Sequence, residues 1–391
     1  MEFTKVQSDR IQFWVLNSAS FIANLTVSMI SLSLVYHLRR VFGLSASSIG
    51  VAVSLSTFSY FVGCVGLAKV VQALKPRYCV ALSLLGMSLS LLSLVLAQSL
   101  FIVYASLCFY GLFMSLLWPP IEAWFSRGKE GRQLNRATNS FNFAWSFGSG
   151  LSTYVAGLLV EKSTYLPFYV GIGSFAFVCA FVTIIANLVP QIRAVSSEES
   201  NIKENKVKDQ STPLRFYCWV GVVLVYTGMS VIQTIFPLYA MDVLTISEVT
   251  IGALLMVRGV ATCLMFLVLS QTDFWQFKKS VILLVQLGFA LLCFWGMTIH
   301  SLVLFALFFF CFGIIFAFSY CLSMFHGVSG CVNKAKRMTI HEVLLTIGQI
   351  IGAVLGGVIY ERFSFSRILL LIGTVTFVVL LVEALAGSRT N

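Results

Sequence analysis

The sequence predicts an all-α integral membrane protein, with twelve transmembrane helices in two pseudo-symmetric six-helix bundles. Three observations lead there. Hydrophobic residues make up 58% of the 391 residues and charged residues only 10%, where a soluble domain carries about 25% charged residues. The apolar residues gather into windows of about twenty or more, long enough at 1.5 Å per residue to cross a hydrocarbon core of about 30 Å. The last six windows also repeat features of the first six in register.

The predicted spans, one to twelve, run over 11–38, 46–71, 78–97, 100–126, 137–160, 165–189, 216–241, 248–271, 280–298, 301–328, 338–360 and 366–386. Lipid offers no partner to a backbone N–H or C=O, so each span must close its bonds within a helix. The runs are also far longer than the ten or so residues of a barrel strand. Span one follows Lys5 and Arg10, and its apolar run is too long for the core of a signal peptide, so it should be retained. Spans two and three flank a loop ending in Lys75 and Arg77. Span four closes on Trp118-Pro119-Pro120-Ile121-Glu122, whose two prolines lack a backbone donor and should kink it before its cytoplasmic end.

Span five opens with Asn139, Asn142 and Trp145, which share one face at three-residue spacing. After span six comes the long polar stretch Pro190–Pro213, rich in Glu and Lys and expected to be a flexible linker. The predicted organisation is therefore a first bundle over 1–189, a cytoplasmic linker over 190–214 and a second bundle over 215–391. Span seven carries Gln233 near its middle, span eight carries Arg258 ten residues in, and span eleven opens with His341 and Glu342.

The net charge of +11 would suit nucleic acid, but its placement argues against that partner. With the N-terminus inside, only Arg39, Arg40, Lys162, Arg362 and Arg367 fall in or beside outer segments, and Arg258 alone lies deep within a span; the other Lys and Arg residues are cytoplasmic. This bias predicts both termini in the cytoplasm of a cytoplasmic (inner) membrane protein. The ten cysteines include no C-x-x-C and mostly sit in apolar spans, where they act as small hydrophobes, so no metal site and no cofactor is expected. No H-E-x-x-H, phosphate-binding loop or G-x-S-x-G occurs, so no catalytic residues are assigned and an enzyme is not expected.

The repeat is clearest in spans five and eleven, where Gly148, Gly157 and Glu161 fall opposite Gly348, Gly357 and Glu361, and Arg136 opposite Lys336. Ile49-Gly50 likewise falls opposite Ile251-Gly252 at the start of spans two and eight, which places Ser56 opposite Arg258. Such a parallel duplication is related by an axis along the membrane normal.

In span count, inside termini, central linker and matched halves the whole chain resembles the major facilitator superfamily. That family's loop motif between spans two and three has the form G-x-L-x-D-R-x-G-R-R. Here Gly66 begins the corresponding stretch, Gln72 stands near the aspartate and Lys75 and Arg77 form the basic end; the second-half counterpart keeps Asp273, Lys278 and Lys279. The resemblance implies a transporter whose two bundles rock around a central site. Spans one, four, seven and ten would line the cavity, and two, five, eight and eleven the bundle interface. The family's antiporters carry a glycine-rich span-five motif with a proline; Gly148 and Gly150 are present here, the proline is not.

Arg258 is the sharpest candidate, because a charge near the bilayer midplane costs about 2.5–3.5 kcal/mol on insertion scales. It would bind an anionic or strongly hydrogen-bonding substrate with its planar donor fork, or else bond to neighbouring carbonyls. Asn24, Trp118 and Gln233 join it as expected substrate contacts, against a reading as helix–helix glue. Glu122, Asn139, Asn142, Trp145, His341 and Glu342 are candidates for gating or proton coupling, against structural pairing at the helix ends.

The expected function is secondary transport of a small molecule by alternating access, proton-coupled or as an exchanger, by a monomer embedded in the bilayer. Two other classes fit the same architecture: a lipid, lysolipid or drug flippase, and a non-transporting receptor or scaffold.

Overall fold

The computed structural model describes residues 5–121, 131–188, 210–331 and 334–387. All regular structure among these residues is helical. Twelve helices are long and apolar enough to cross a membrane: Phe13–Arg40, Ala46–Gly66, Pro76–Val95, Leu100–Ile121, Ser140–Lys162, Leu166–Ile185, Leu214–Asp242, Glu248–Gln271, Lys279–Gly296, Leu302–Val328, Arg337–Arg362 and Phe365–Leu385. They follow the predicted spans closely, apart from an unpredicted break in span seven at Ile235 and an earlier end to span two. Span two ends at Gly66 rather than at 71, and a separate short helix, Ala68–Ala73, follows through Leu67 at φ −94° and ψ 5°. Glycine lowers helix stability by about 1 kcal/mol relative to alanine, which makes Gly66 the weak point of that run.

Prolines break two spans. In span four the helix ends at Met114, turns over 115–117 and resumes at 118–121. Pro119 and Pro120 remove the N–H groups that would bond the Ser115 and Leu116 carbonyls. The chain tightens instead, with Leu116 and Leu117 N–H donating to the Phe113 and Met114 carbonyls at 3.0 Å each. Span seven likewise divides into Leu214–Thr234 and Phe236–Asp242. There Pro237 removes the helical donor for the Gln233 carbonyl.

The chain packs as two compact units. The first contains span one up to His37 and spans two to six from Leu55 onward; the second contains Leu38–Ser54 with spans seven to twelve. Within the first, span three packs on four and six, and five on six. Within the second, nine packs correspondingly on ten and twelve, eleven on twelve, and eight on ten. Leu38–Ser54 joins the second unit through ion pairs of Arg39 with Asp242 (3.1 Å) and Arg40 with Glu248, and through Ser47 N–H donating to Glu361 at 3.1 Å.

The duplication is visible atom by atom. A Cβ added to Gly111 would sit 2.1 Å from the Ser56 carbonyl oxygen, and one added to Gly313 would sit 2.3 Å from that of Arg258. Each pair lies 202 residues from its counterpart. Gly148 makes the same approach to the Phe21 carbonyl, and Gly348 to that of Val223, at 2.7 Å in both cases. Small residues let helix backbones meet, which in lipid replaces the hydrophobic drive as the source of association.

Hydrogen bonds reinforce both seams. In the first unit Asn24 Nδ2 donates to the Trp145 carbonyl at 2.7 Å, and Ser140 Oγ to Asn17 Oδ1 at 3.0 Å. Ser28 Oγ reaches Ser149 Oγ at 3.3 Å, and its counterpart Ser230 donates to the Gln349 carbonyl at 2.7 Å.

Candidate functional site

The second unit holds a polar cluster inside an otherwise apolar and aromatic packing. Arg258 lies where span eight crosses span ten, and it is 2% exposed. Its backbone carbonyl accepts from Thr262 Oγ1 at 3.0 Å. Among the described residues the guanidinium makes one hydrogen bond, from Nη1 to the Met229 sulfur at 2.7 Å, while Nε is buried without a partner. A thioether is a weak acceptor, so the most expensive group in the unit to bury has little compensation.

Met229 brings span seven to the arginine, and Tyr226 lies one turn earlier on the same helix. The Tyr226 ring packs against Phe316 of span ten, with centroids 5.1 Å apart. Phe316 leads to Tyr320, and Tyr320 to His341 at 5.1 Å in an edge-on contact. His341 Nδ1 shares a hydrogen bond of 2.9 Å with Ser323 Oγ, and its Nε2 is buried without a partner. Glu342, next along span eleven, is exposed. The arrangement sets a buried cation with an unpartnered donor beside a cluster of aromatic rings, with an exposed acid at its His341 end.

The first unit carries different residues at the equivalent positions. Asn24, Ser56, Trp118 and Asn142 stand opposite Tyr226, Arg258, Tyr320 and Glu342. Asn24 is 4% exposed with its amide engaged by the Trp145 carbonyl, whereas Trp118, Asn142 and the Trp145 side chain are half-buried. Gln233, half-buried in span seven, makes no side-chain hydrogen bond among the described residues and sits at the helix break. Asn139 belongs to the helix that contains span five, and Glu122 lies outside the described residues.

Gln72 belongs to the short helix Ala68–Ala73, and Lys75 is exposed at the cap of span three. Arg77 donates to the Tyr78 hydroxyl at 2.7 Å and stacks on that ring. Asp273 and Lys278 are exposed, and Lys279 Nζ donates to the Glu383 carbonyl at 2.9 Å.

Sequence reasoning passed over His326, which organises this second loop. Its Nε2 accepts from Phe277 N–H at 3.1 Å and its Nδ1 bonds the Leu322 carbonyl at 2.9 Å, so the proton sits on Nδ1. It also passed over Tyr226, Met229 and Ser323. The repeat itself was the available signal for Tyr226, which stands opposite Asn24.

Twelve apolar helices in a duplicated arrangement define a multi-pass membrane protein with a transporter fold. The chain belongs to the Major Facilitator Superfamily, whose family model matches residues 16–331 and 218–389. A search among curated proteins gives no match. Among solved structures, the nucleoside transporter NupG is similar at 13% identity and TM-score 0.73, covering 95% of this chain and 98% of its own. A POT family transporter in complex with 5-aminolevulinic acid is similar at 11% identity and TM-score 0.79, covering 97% and 96%. A peptide transporter POT in complex with sulfate follows at 12% identity and TM-score 0.75, covering 96% and 94%. At such identities the likeness concerns the fold.

Proposed function

We propose that this chain is a secondary transporter that moves a small anionic or polar molecule across the cytoplasmic membrane by alternating access, as a monomer with both termini in the cytoplasm. Arg258 is the residue that holds the substrate. The observation that carries this reading is its buried guanidinium, with Nε unpartnered and Nη1 resting on a thioether. A purely structural arginine at this depth would be expected to bond carbonyls or an acid on a neighbouring helix. Arg258 does neither among the described residues, so its donors are left for a ligand.

The supporting features come from both units. Pro119-Pro120 and Pro237 interrupt spans four and seven, and interrupted helices recur at transporter sites because freed backbone carbonyls line the cavity. Gln233 presents its side chain at one such break. Trp118, Asn142 and Trp145 supply the half-buried polar and aromatic surface of the first unit. Proton coupling and solute exchange are the two drives this reading allows.

The test is uptake by proteoliposomes across a panel of organic anions, nucleosides, peptides and sugars, with and without a pH gradient. Accumulation of one class that Arg258→Gln abolishes, in a variant that still folds, is the expected result. Silence across the panel would favour a scaffold, and unchanged uptake by Arg258→Gln would remove the substrate role. Stimulation by the gradient would assign proton coupling, and its absence exchange or facilitated diffusion.

A further inference from the structure

Arg258 is a base and Glu342 an acid within the same unit, yet they are not paired with each other. Among the described residues the salt bridges are Arg39–Asp242 and Arg40–Glu248. Met229, one turn from Tyr226 on span seven, meets Arg258, and ring contacts run from Tyr226 through Phe316 and Tyr320 to His341, the residue before Glu342.

Each group is left wanting a partner. Arg258 Nε has none, and the Glu342 side chain is exposed and takes part in neither of the ion pairs found among the described residues. A simple anion would satisfy the guanidinium and leave the acid unmatched. A simple cation would do the reverse and meet the guanidinium charge. A molecule with both charges matches both groups, and an ammonium beside Glu342 would hold it as the carboxylate. Between the charges such a ligand needs a carbon framework, and the Tyr226 and Phe316 rings, 5.1 Å apart, provide an apolar wall for it. The partnerless His341 Nε2, on the residue preceding Glu342, adds one hydrogen-bonding position.

We infer that this site takes a zwitterion, with its anionic group on Arg258, its ammonium on Glu342 and its framework along Tyr226 and Phe316. The inference rests on the reading of Arg258 as a substrate residue and adds the substrate class.

The experiment is thermal unfolding of the purified full chain with a charge-sorted panel. It contains amino acids, short peptides and ω-amino acids of increasing length, each beside the matching carboxylate, amine and alcohol. A ligand that binds the folded state raises the melting temperature in proportion to its occupancy. Zwitterions are expected to stabilise the wild type more than their matched partners. Glu342→Gln should weaken the best zwitterion by about tenfold or more while leaving its carboxylate analogue unchanged, and Arg258→Gln should abolish both responses. Stabilisation by carboxylates as strong as by zwitterions, lost in Arg258→Gln and indifferent to Glu342→Gln, would overturn the zwitterion and leave the Arg258 reading standing. Responses that survive Arg258→Gln would overturn both. A wild type that answers to no charge class would also overturn the inference.

Discussion

Replacing Arg258 by methionine should make the protein more stable and inactive at once. The guanidinium is 2% exposed, Nε has no partner, and Nη1 meets only the Met229 sulfur at 2.7 Å. A buried donor without an acceptor costs about 1–3 kcal/mol, and more when charged. Exchanging buried ionic groups for apolar ones of similar volume is often neutral or stabilising by about 1–4 kcal/mol. Methionine is unbranched and adaptable, so it can fill the same passage beside Met229 and Tyr226. The expected gain is about 1–3 kcal/mol, read as a higher melting temperature in one detergent, next to loss of uptake in liposomes. A lower melting temperature would mean that the guanidinium holds the fold. A higher one with uptake intact would detach it from the substrate.

Three further outcomes follow from the packing. Valine at Gly111 or at Gly313 would place Cβ 2.1 Å from the Ser56 or 2.3 Å from the Arg258 carbonyl oxygen; each should lose about 1–3 kcal/mol by overpacking, and thermal melting should show similar losses for the two. His326→Ala removes the acceptor for Phe277 N–H and a bond to Leu322; a cost of about 1–3 kcal/mol is expected, with faster proteolysis at 272–278 as the readout. Arg40→Gln breaks a partly exposed pair with Glu248, whose side chains are 43% and 10% exposed; it should cost no more than about 1 kcal/mol, and the difference from wild type should shrink as salt is raised.

The spans were legible because a membrane helix is declared by length and apolarity alone. Even the two interruptions had signals, since Pro119-Pro120 and Pro237 lack the donors a helix needs. Gly66 was harder to read, because one glycine in an apolar run ends a helix only when its surroundings agree. Arg258 was legible as a charge where charges are costly. That its donors are left open was not, because an arginine's partners depend on which side chains the neighbouring helices bring: here Met229 rather than an acid. Asn24 was legible as a polar residue near the middle of span one; its bond to the Trp145 carbonyl was not, because the acceptor is a backbone group on another helix. Its second-half counterpart is Tyr226, so the residue type at this position differs between the two copies. His326 was invisible for a simpler reason. Its partner is the backbone N–H of Phe277, which no residue pattern announces.

The most direct test of the account is a structure of the protein with a transported molecule bound. It should place an acceptor atom of that molecule within hydrogen-bond distance of Arg258 Nε, with its body against Tyr226. A substrate bound elsewhere, with Arg258 Nε still lacking a partner, would contradict it.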